Sequence, residues 1–361
     1  MRSLSRRSFL ASCAALPAVT AVAADAGLGT LAARSGRYFG AAVSTTVLAD
    51  GSAYVEPLDR ECSVWVPEWQ LKWGALAPSV AASADFTAMD ALVAAARRAG
   101  KRMRGHTLIW HEHLPQGLEA ITGRDGWDNV VAPHIREVAG RYGDTVFEWD
   151  VVNEAIEPFD GGADLMRRTP FYQMLGPDYV AEAFRLAAEA APSARLYLNE
   201  DHLYYDDAAQ EGRRVGLLAL LERLVRAGVP VHGVGLQCHL DTRRRFDRRL
   251  FDRFLDEVTN LGLSLAVTEL DVREHDDAEG RSLDRRRQRA ADEVTKVLEG
   301  IFDRAAFAGV TTWGISDADS WLRKGASGSD NQGLPYSDAF RPTPMRKALA
   351  ALFASTRTRH D

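Results

Sequence analysis

Cysteine is scarce in this chain. Of three in 361 residues, Cys13 falls in the N-terminal leader, which leaves Cys62 and Cys238. No Cys ligand set for a zinc site exists. Pairing of the two cannot be deduced from sequence. Cys238 sits inside an expected strand, so a buried free thiol is the expectation for it. Long apolar runs are also missing: nothing after the leader approaches the ~20 apolar residues that a membrane span requires. Charge of one sign is missing as well. The net charge is −6, which suggests neither nucleic acid nor an anionic membrane as partner. Short internal repeats, low-complexity linkers and signs of a second domain are absent. No Gly-x-Gly-x-x-Gly turn follows the first strand, which weakens a dinucleotide-binding open sheet.

What is present is the composition of a globular enzyme, 46% hydrophobic and 26% charged, with room for one large barrel. Arginines cluster at Arg243–Arg245, Arg248-Arg249 and Arg285–Arg287. Each cluster lies among Asp and Glu in a helix-like segment, and a solvated, salt-bridged face is expected there. The start, Ser5-Arg6-Arg7-Ser8-Phe9-Leu10, precedes an Ala/Val-rich stretch ending in small residues near Ala24. Residues 1–24 read as a twin-arginine export signal, implying a periplasmic or extracellular protein.

Beyond it, strand-like and helix-like segments alternate. Strands are expected at 39–43, 63–66, 102–109, 147–152, 195–198, 233–238, 264–268 and 309–314, and helices at 86–98, 179–190, 211–227, 250–261 and 293–306. Gly100, Gly228 and Gly262 stand where helices should end. Eight strands alternating with helices predict an α/β fold, a single (β/α)8 TIM barrel over residues 34–355, with a tail at 356–361. A doubly wound open sheet is the second choice.

Function in such barrels lives at the C-terminal strand ends. Two expected strands there end in glutamate: Phe147-Glu148-Trp149-Asp150-Val151-Val152-Asn153-Glu154 and Leu265-Ala266-Val267-Thr268-Glu269. A carboxylate at the end of a buried strand is costly without partners or a task. One such glutamate alone reads as a salt-bridge partner. Two facing each other across a barrel mouth are what glycoside hydrolysis needs, one to protonate the leaving oxygen and one to attack or to activate water.

With these segments on view, the chain resembles a family 10 glycoside hydrolase, the barrel family of endo-1,4-β-xylanases. The resemblance runs from about Phe39 to Leu352. It rests on Arg104-Gly105-His106-Thr107-Leu108-Ile109-Trp110-His111, Trp149–Glu154, Gly235-Leu236-Gln237-Cys238-His239, Thr268-Glu269-Leu270-Asp271, Trp313–Asp317 with Ser320-Trp321, and Phe340–Pro344. It implies a retaining mechanism on a polysaccharide or oligosaccharide, with no cofactor and no metal, by a monomer. Glu154 becomes the general acid/base and Glu269 the nucleophile. Asn153, His239 and Asp271 support them: the His keeps Glu269 ionised, and Asp271 holds the His. The charge on Glu269 is expected to raise the pKa of Glu154. Trp110, Trp313 and Trp321 supply flat faces for sugar. Glu68, Lys72, His106 and Gln237 supply polar contacts on the non-reducing side.

Three positions depart from the family pattern. Trp69 stands where an asparagine usually follows Glu68. His113 stands where a glutamine is usual. The fifth strand ends in Asn199-Glu200-Asp201-His202 rather than Asn-Asp-Tyr-Asn. These changes bear on substrate preference, not on the chemistry at Glu154 and Glu269. Two readings compete on the enzyme side: a metal-dependent barrel hydrolase using His106, His111, His113, His202 and His239, and a related glycanase with a non-xylan β-glycan substrate. A non-catalytic carbohydrate-binding barrel is the third.

Overall fold

The structure, a computed structural model, describes residues 26–48, 52–275, 280–324 and 330–355. The expected signal and tail lie outside the described residues. Nine strands run in one direction: β1 (Tyr38–Val43), β2 (Val64–Pro67), β3 (Arg102–Trp110), β4 (Val146–Asn153), β5 (Arg195–Glu200), β6 (Gly233–Leu236), β7 (His239–Asp241), β8 (Ser264–Arg273) and β9 (Phe307–Thr312). Strands β1 to β6 pair in sequence order, β6 pairs with β8, and β9 joins β8 to β1. The result is the closed eight-stranded parallel barrel expected from the alternation. Strand β7 is a short continuation beyond β6 that pairs with the far end of β8.

The strands carry few exposed positions because both faces are covered, one by the barrel interior and one by the helical ring. All six residues of β1 and all four of β2 are buried. The ring helices present apolar stripes of helical period: Met89, Leu92, Val93 and Ala96 from Thr87–Arg98, and Phe251, Phe254, Leu255 and Val258 from Arg248–Asn260. Gly100, Gly228 and Gly262 take φ of +65°, +62° and +80° and end their helices as expected. Two helices start earlier than their apolar pattern suggests, because an aspartate caps each. Asp207 accepts from the Gln210 N–H (2.9 Å) and Asp247 from the Arg249 N–H (2.9 Å). The helix expected at 293–306 spans Leu283–Phe302.

An ionic cluster fills the barrel interior below the mouth. Arg104, fully buried, reaches Glu148 (2.6 Å) and Asp150. The hydroxyls of Tyr38 and Tyr197 donate to Glu148 at 2.8 and 3.3 Å. Removing Arg104 would leave two buried carboxylates uncompensated, a loss of about 3–5 kcal/mol. Asp150 in turn meets His106 Nδ1 at 3.1 Å, so this cluster supports the floor of the site above it.

Four expectations need correction. The strand expected at 233–238 ends at Leu236. Cys238 leaves the ladder with φ +59°, and its N–H donates to the Tyr204 hydroxyl. The break sends the side chains of Gln237 and His239 to the mouth. Both cysteines are nonetheless free and buried. The packed body also begins before residue 34: helix Leu28–Ala33 packs against Pro344–Ser355, and the Leu28 N–H donates to the Glu61 carboxylate (2.7 Å). Arg243–Arg245 lie in the loop after β7 rather than in a helix, though they are salt-bridged as expected, Arg244 to Asp207 (2.9 Å) and Arg245 to Asp206. The fourth correction concerns the pKa of Glu154 and belongs to the site. Among the described residues no helix is long and apolar enough to cross a membrane.

Candidate active site

The C-terminal strand ends enclose a cavity of about 400 Å³. From β2 come Glu68, Trp69 and Lys72; from β3, His106, Trp110 and His113; from β4, Asn153 and Glu154. The turn after β6 gives Gln237 and His239, β8 gives Glu269, and the segment after β9 gives Trp313 and Trp321. Every site residue expected from sequence lines this cavity except Asp271, which stands directly behind His239. Glu112 and Asp201 join the lining.

Glu269 is almost fully buried on β8. Its Oε1 accepts from Asn199 Nδ2 at 2.7 Å, and its Oε2 lies 3.3 Å from His239 Nε2. His239 Nδ1 meets Asp271 at 2.9 Å, and Trp321 Nε1 donates to the other Asp271 oxygen at 2.6 Å. Burial disfavours a charged His239. The Asp271 charge and the hydrogen bonds to Asp271 and Glu269 outweigh burial and hold its pKa well above the ordinary histidine value. His239 therefore turns an N–H donor on Nε2 toward Glu269 while Nδ1 is held by Asp271.

Glu154 follows the last residue of β4 and takes φ +57°. A non-glycine residue there costs roughly 1–2 kcal/mol, so the turn needs anchors. Its N–H donates to the Asn199 carbonyl (2.9 Å), and its own carbonyl accepts from Arg167 Nε (2.9 Å). The carboxylate accepts from Gln237 Nε2 (2.9 Å), Asn153 Nδ2 (3.2 Å) and Trp110 Nε1 (3.0 Å). Burial pushes its pKa up. The Gln237 and Trp110 donors, with His111 and Arg167 nearby, more than offset burial, so the carboxyl sits below its usual value. That is opposite to the rise expected from Glu269: donors in direct contact outweigh a second carboxylate whose charge His239 already balances.

Asn199 ties the two glutamates together. Its Nδ2 donates to both Glu269 and Asn153 (2.8 Å), while Thr268 Oγ1 donates to its Oδ1 (2.7 Å) and fixes the amide orientation. The glycosidase site expected from sequence includes neither Asn199 nor His111, although His111 closes one of the segments that carry the resemblance and Asn199 opens the fifth-strand end that departs from it. Burial and the Arg167 charge push His111 down to about 4. Its buried Nδ1 has no hydrogen-bond partner and lies 3.8 Å from Glu154.

At the β2–β3 side Trp69 stands half exposed, edge-on to His113 with ring centroids 4.6 Å apart. Lys72 Nζ sits between two indoles, 5.1 Å from the Trp69 ring and 5.0 Å from Trp110. Trp110 thus serves Glu154 as a donor as well as offering a face. Trp313 is nearly buried, edge-on to His106 at 5.1 Å. Among the described residues no three His, Cys, Asp or Glu side chains are grouped to hold a metal ion.

A closed parallel barrel with two glutamates at its mouth, one buried and one half-buried, linked through a chain of amides and ringed by indoles, defines a glycosidase. The comparisons with known proteins place it further. The family model of glycosyl hydrolase family 10 matches residues 27–352. Endo-1,4-beta-xylanase 2 of Claviceps purpurea is 32% identical over 323 residues, 87% of each chain. The beta-1,4-xylanase of Dictyoglomus thermophilum is 32% identical over 74% of this chain and 75% of that one. The crystal structure of xylanase 10B from Thermotoga petrophila in complex with xylobiose superposes with a TM-score of 0.80 at 29% identity, covering 91% of this chain and 97% of that one. The chain belongs to glycosyl hydrolase family 10 and is a retaining glycosidase like the endo-1,4-β-xylanases it resembles.

Proposed function

We propose that the chain cleaves β-1,4-xylosidic bonds in xylan or xylo-oligosaccharides by double displacement, with Glu269 as nucleophile and Glu154 as acid/base. The observation that carries the assignment of roles is the environment of Glu269. It is almost fully buried, with an amide donor on one oxygen and a histidine braced by Asp271 on the other, leaving no donor that could serve a leaving group. Glu154 stands on the opposite wall with polar donors and solvent access. In the first step Glu154 gives its proton to the leaving oxygen while a Glu269 oxygen bonds to the anomeric carbon. In the second, Glu154 takes a proton from water, the water oxygen attacks that carbon, and Glu269 leaves as carboxylate. Asn153 stands beside Glu154 where it can hydrogen-bond the sugar 2-hydroxyl. The substrate choice is supported by the xylanase relatives and by the xylobiose complex of the Thermotoga petrophila enzyme. The test is xylohexaose followed by NMR from the first turnovers. The expected products are xylo-oligosaccharides appearing first as the β-anomer. α-Anomer first, or a faster reaction on gluco- or manno-oligosaccharides, overturns the mechanism or the substrate respectively.

The two basic residues Arg6-Arg7 and the small-residue stretch before Asp25 support export through a twin-arginine route. Cell fractionation that finds the full-length chain in the cytoplasm would refute this.

Trp69 shapes the glycone end. An asparagine there would give a sugar both a donor and an acceptor, whereas the indole gives one donor and a face, and its ring already packs against His113. One or two missing hydrogen bonds cost about 1–3 kcal/mol, one to two decades of affinity. Trp69→Asn is therefore expected to raise kcat/KM on xylotetraose about tenfold. A loss on every oligosaccharide tried would show instead that Trp69 is a binding platform.

A further inference from the structure

Arg167 lies in the loop after β4, outside every motif that the sequence brings forward. Its contacts converge on one turn. Nε donates to the Glu154 carbonyl (2.9 Å), Nη2 to the Ile156 carbonyl (3.5 Å), and its backbone N–H to the Ala155 carbonyl (2.8 Å). Three consecutive carbonyls, 154 to 156, thus end on a single residue. Nη1 lies 3.5 Å from the Glu157 carboxylate, which also accepts from Arg213 Nη2 (2.6 Å) of helix Ala208–Arg226. Glu157 is therefore a fixed counter-charge that holds the guanidinium in place from behind.

We propose that Arg167 is a positioning residue for Glu154, locking the left-handed turn that presents this carboxylate to the cleft. Glu154 has two backbone anchors, the N–H to Asn199 and the carbonyl to Arg167. Its carboxylate must also meet donors fixed on other elements, Trp110 on β3 and Gln237 after β6. A turn released at its carbonyl swings the carboxylate away from both. Residue 154 cannot relax to an ordinary conformation without changing where its side chain points, so the clamp and the strained φ act together. The proposal rests on reading Glu154 as the acid/base.

Arg167 also contributes charge. The ionisable groups around Glu154 are Glu68 and Lys72 after β2, His111, Glu112 and His113 at the end of β3, Glu200, Asp201 and His202 at the end of β5, Arg213 from the helix after β5, His239 after β6, Glu269 from β8 and Arg167 itself. Burial raises Glu200 to about 8, so it adds no charge at neutral pH, and His111 is neutral there too. Arg167 is among the groups that hold the Glu154 carboxyl below its usual value, and it is the one that also grips the Glu154 backbone. Without it the carboxyl protonates more readily.

The experiment compares Arg167→Met and Arg167→Lys on two substrates: xylopentaose, whose leaving group needs a proton, and dinitrophenyl β-xylobioside, whose leaving group does not. Arg167→Met should lose about 100-fold in kcat/KM on xylopentaose, the scale of a ~1 Å misplacement. Its kcat/KM for dinitrophenol release, which reports only the first transfer to Glu269, should stay within about threefold of the parent, since that step draws little on a proton donor. The alkaline limb of its xylopentaose pH profile should move up by about half a unit or more. Arg167→Lys keeps the charge but not the fork. It should leave the limb in place and still show the selective loss on xylopentaose. Equal losses on both substrates with an unmoved limb would reduce Arg167 to general support of the fold, and no loss would remove it from the site. If the Met variant does not fold, the substrate contrast in Arg167→Lys decides alone. Failure of the acid/base reading is separable: Glu154→Ala would then lose the first burst of dinitrophenol as severely as it loses xylopentaose, whatever Arg167 does.

Discussion

Glu269→Gln is expected to lower turnover by about 10⁴-fold or more on every glycoside, activated aryl substrates included, with the barrel intact. The amide has nearly the carboxylate's shape but cannot form the glycosyl ester. Its surroundings predict the side effects. Asn199 Nδ2 and His239 Nε2 both point donors at this side chain. An amide can accept only one of them through its oxygen, so one buried donor is left without a partner, at about 1–3 kcal/mol. His239 loses an anionic neighbour, and burial, which already disfavours its charge, gains weight. With Asp271 still 2.9 Å from its Nδ1, the histidine should titrate lower than in the parent. Its resonances should then move at a lower pH in an NMR titration. A fluorinated, mechanism-based xylobioside should label the parent on Glu269 and leave the variant unlabelled. Substantial dinitrophenol release by the variant, or label found on another carboxylate, would defeat the assignment.

How much of this site could be read from the sequence depends on whether a residue's role is local. Glu154 and Glu269 end apolar, β-branched runs, and a period-two or continuous apolar run that stops at a carboxylate marks a strand end facing something polar. Trp110, Gln237 and Trp313 sit in segments of the same kind, so strand prediction carried them to the mouth. The break at Cys238 was not legible. Nothing in the chemistry of Gly235-Leu236-Gln237-Cys238 demands a left-handed residue, and the Tyr204 hydroxyl that receives the Cys238 N–H comes from a different loop. Arg167 was hidden for a similar reason. It stands beside Arg168 in a loop without periodicity, and only tertiary structure separates the two: Arg168 pairs with Asp164 (2.9 Å) near the surface, whereas Arg167 turns inward to Glu154. For the pKa of Glu154 the sequence points the wrong way, because it shows the second carboxylate but not the donors that the fold brings against the first. The early start of the packed body is not legible either, because helix Leu28–Ala33 is short and its anchor, Glu61, lies 33 residues further on.

Glu154→Ala tests the other half of the chemistry, and its effect should depend on the leaving group. On xylo-oligosaccharides kcat/KM is expected to fall by about 10²–10⁴-fold, the usual contribution of a positioned proton donor. Dinitrophenyl β-xylobioside should still transfer its xylobiosyl group to Glu269, because dinitrophenolate leaves without a proton. Hydrolysis of the resulting ester then lacks its base, so a burst of one equivalent of dinitrophenol should precede slow turnover. The space vacated by the carboxylate keeps its donors: Trp110 Nε1 and Gln237 Nε2, which met Glu154 at 3.0 and 2.9 Å, now face a cavity open to the cleft. Azide is a small anion that fits such donors and needs no base. Its terminal nitrogen attacks the anomeric carbon on the face that the leaving group left, and the Glu269 carboxylate departs. Two inversions at that carbon give β-xylobiosyl azide, and turnover should rise with azide concentration while the parent does not respond. NMR of the isolated azide decides the matter. The β-product places Glu154 on the leaving-group side, opposite Glu269. An α-azide, or no rescue together with loss of the dinitrophenol burst, would mean that the two glutamates do not divide the work in this way.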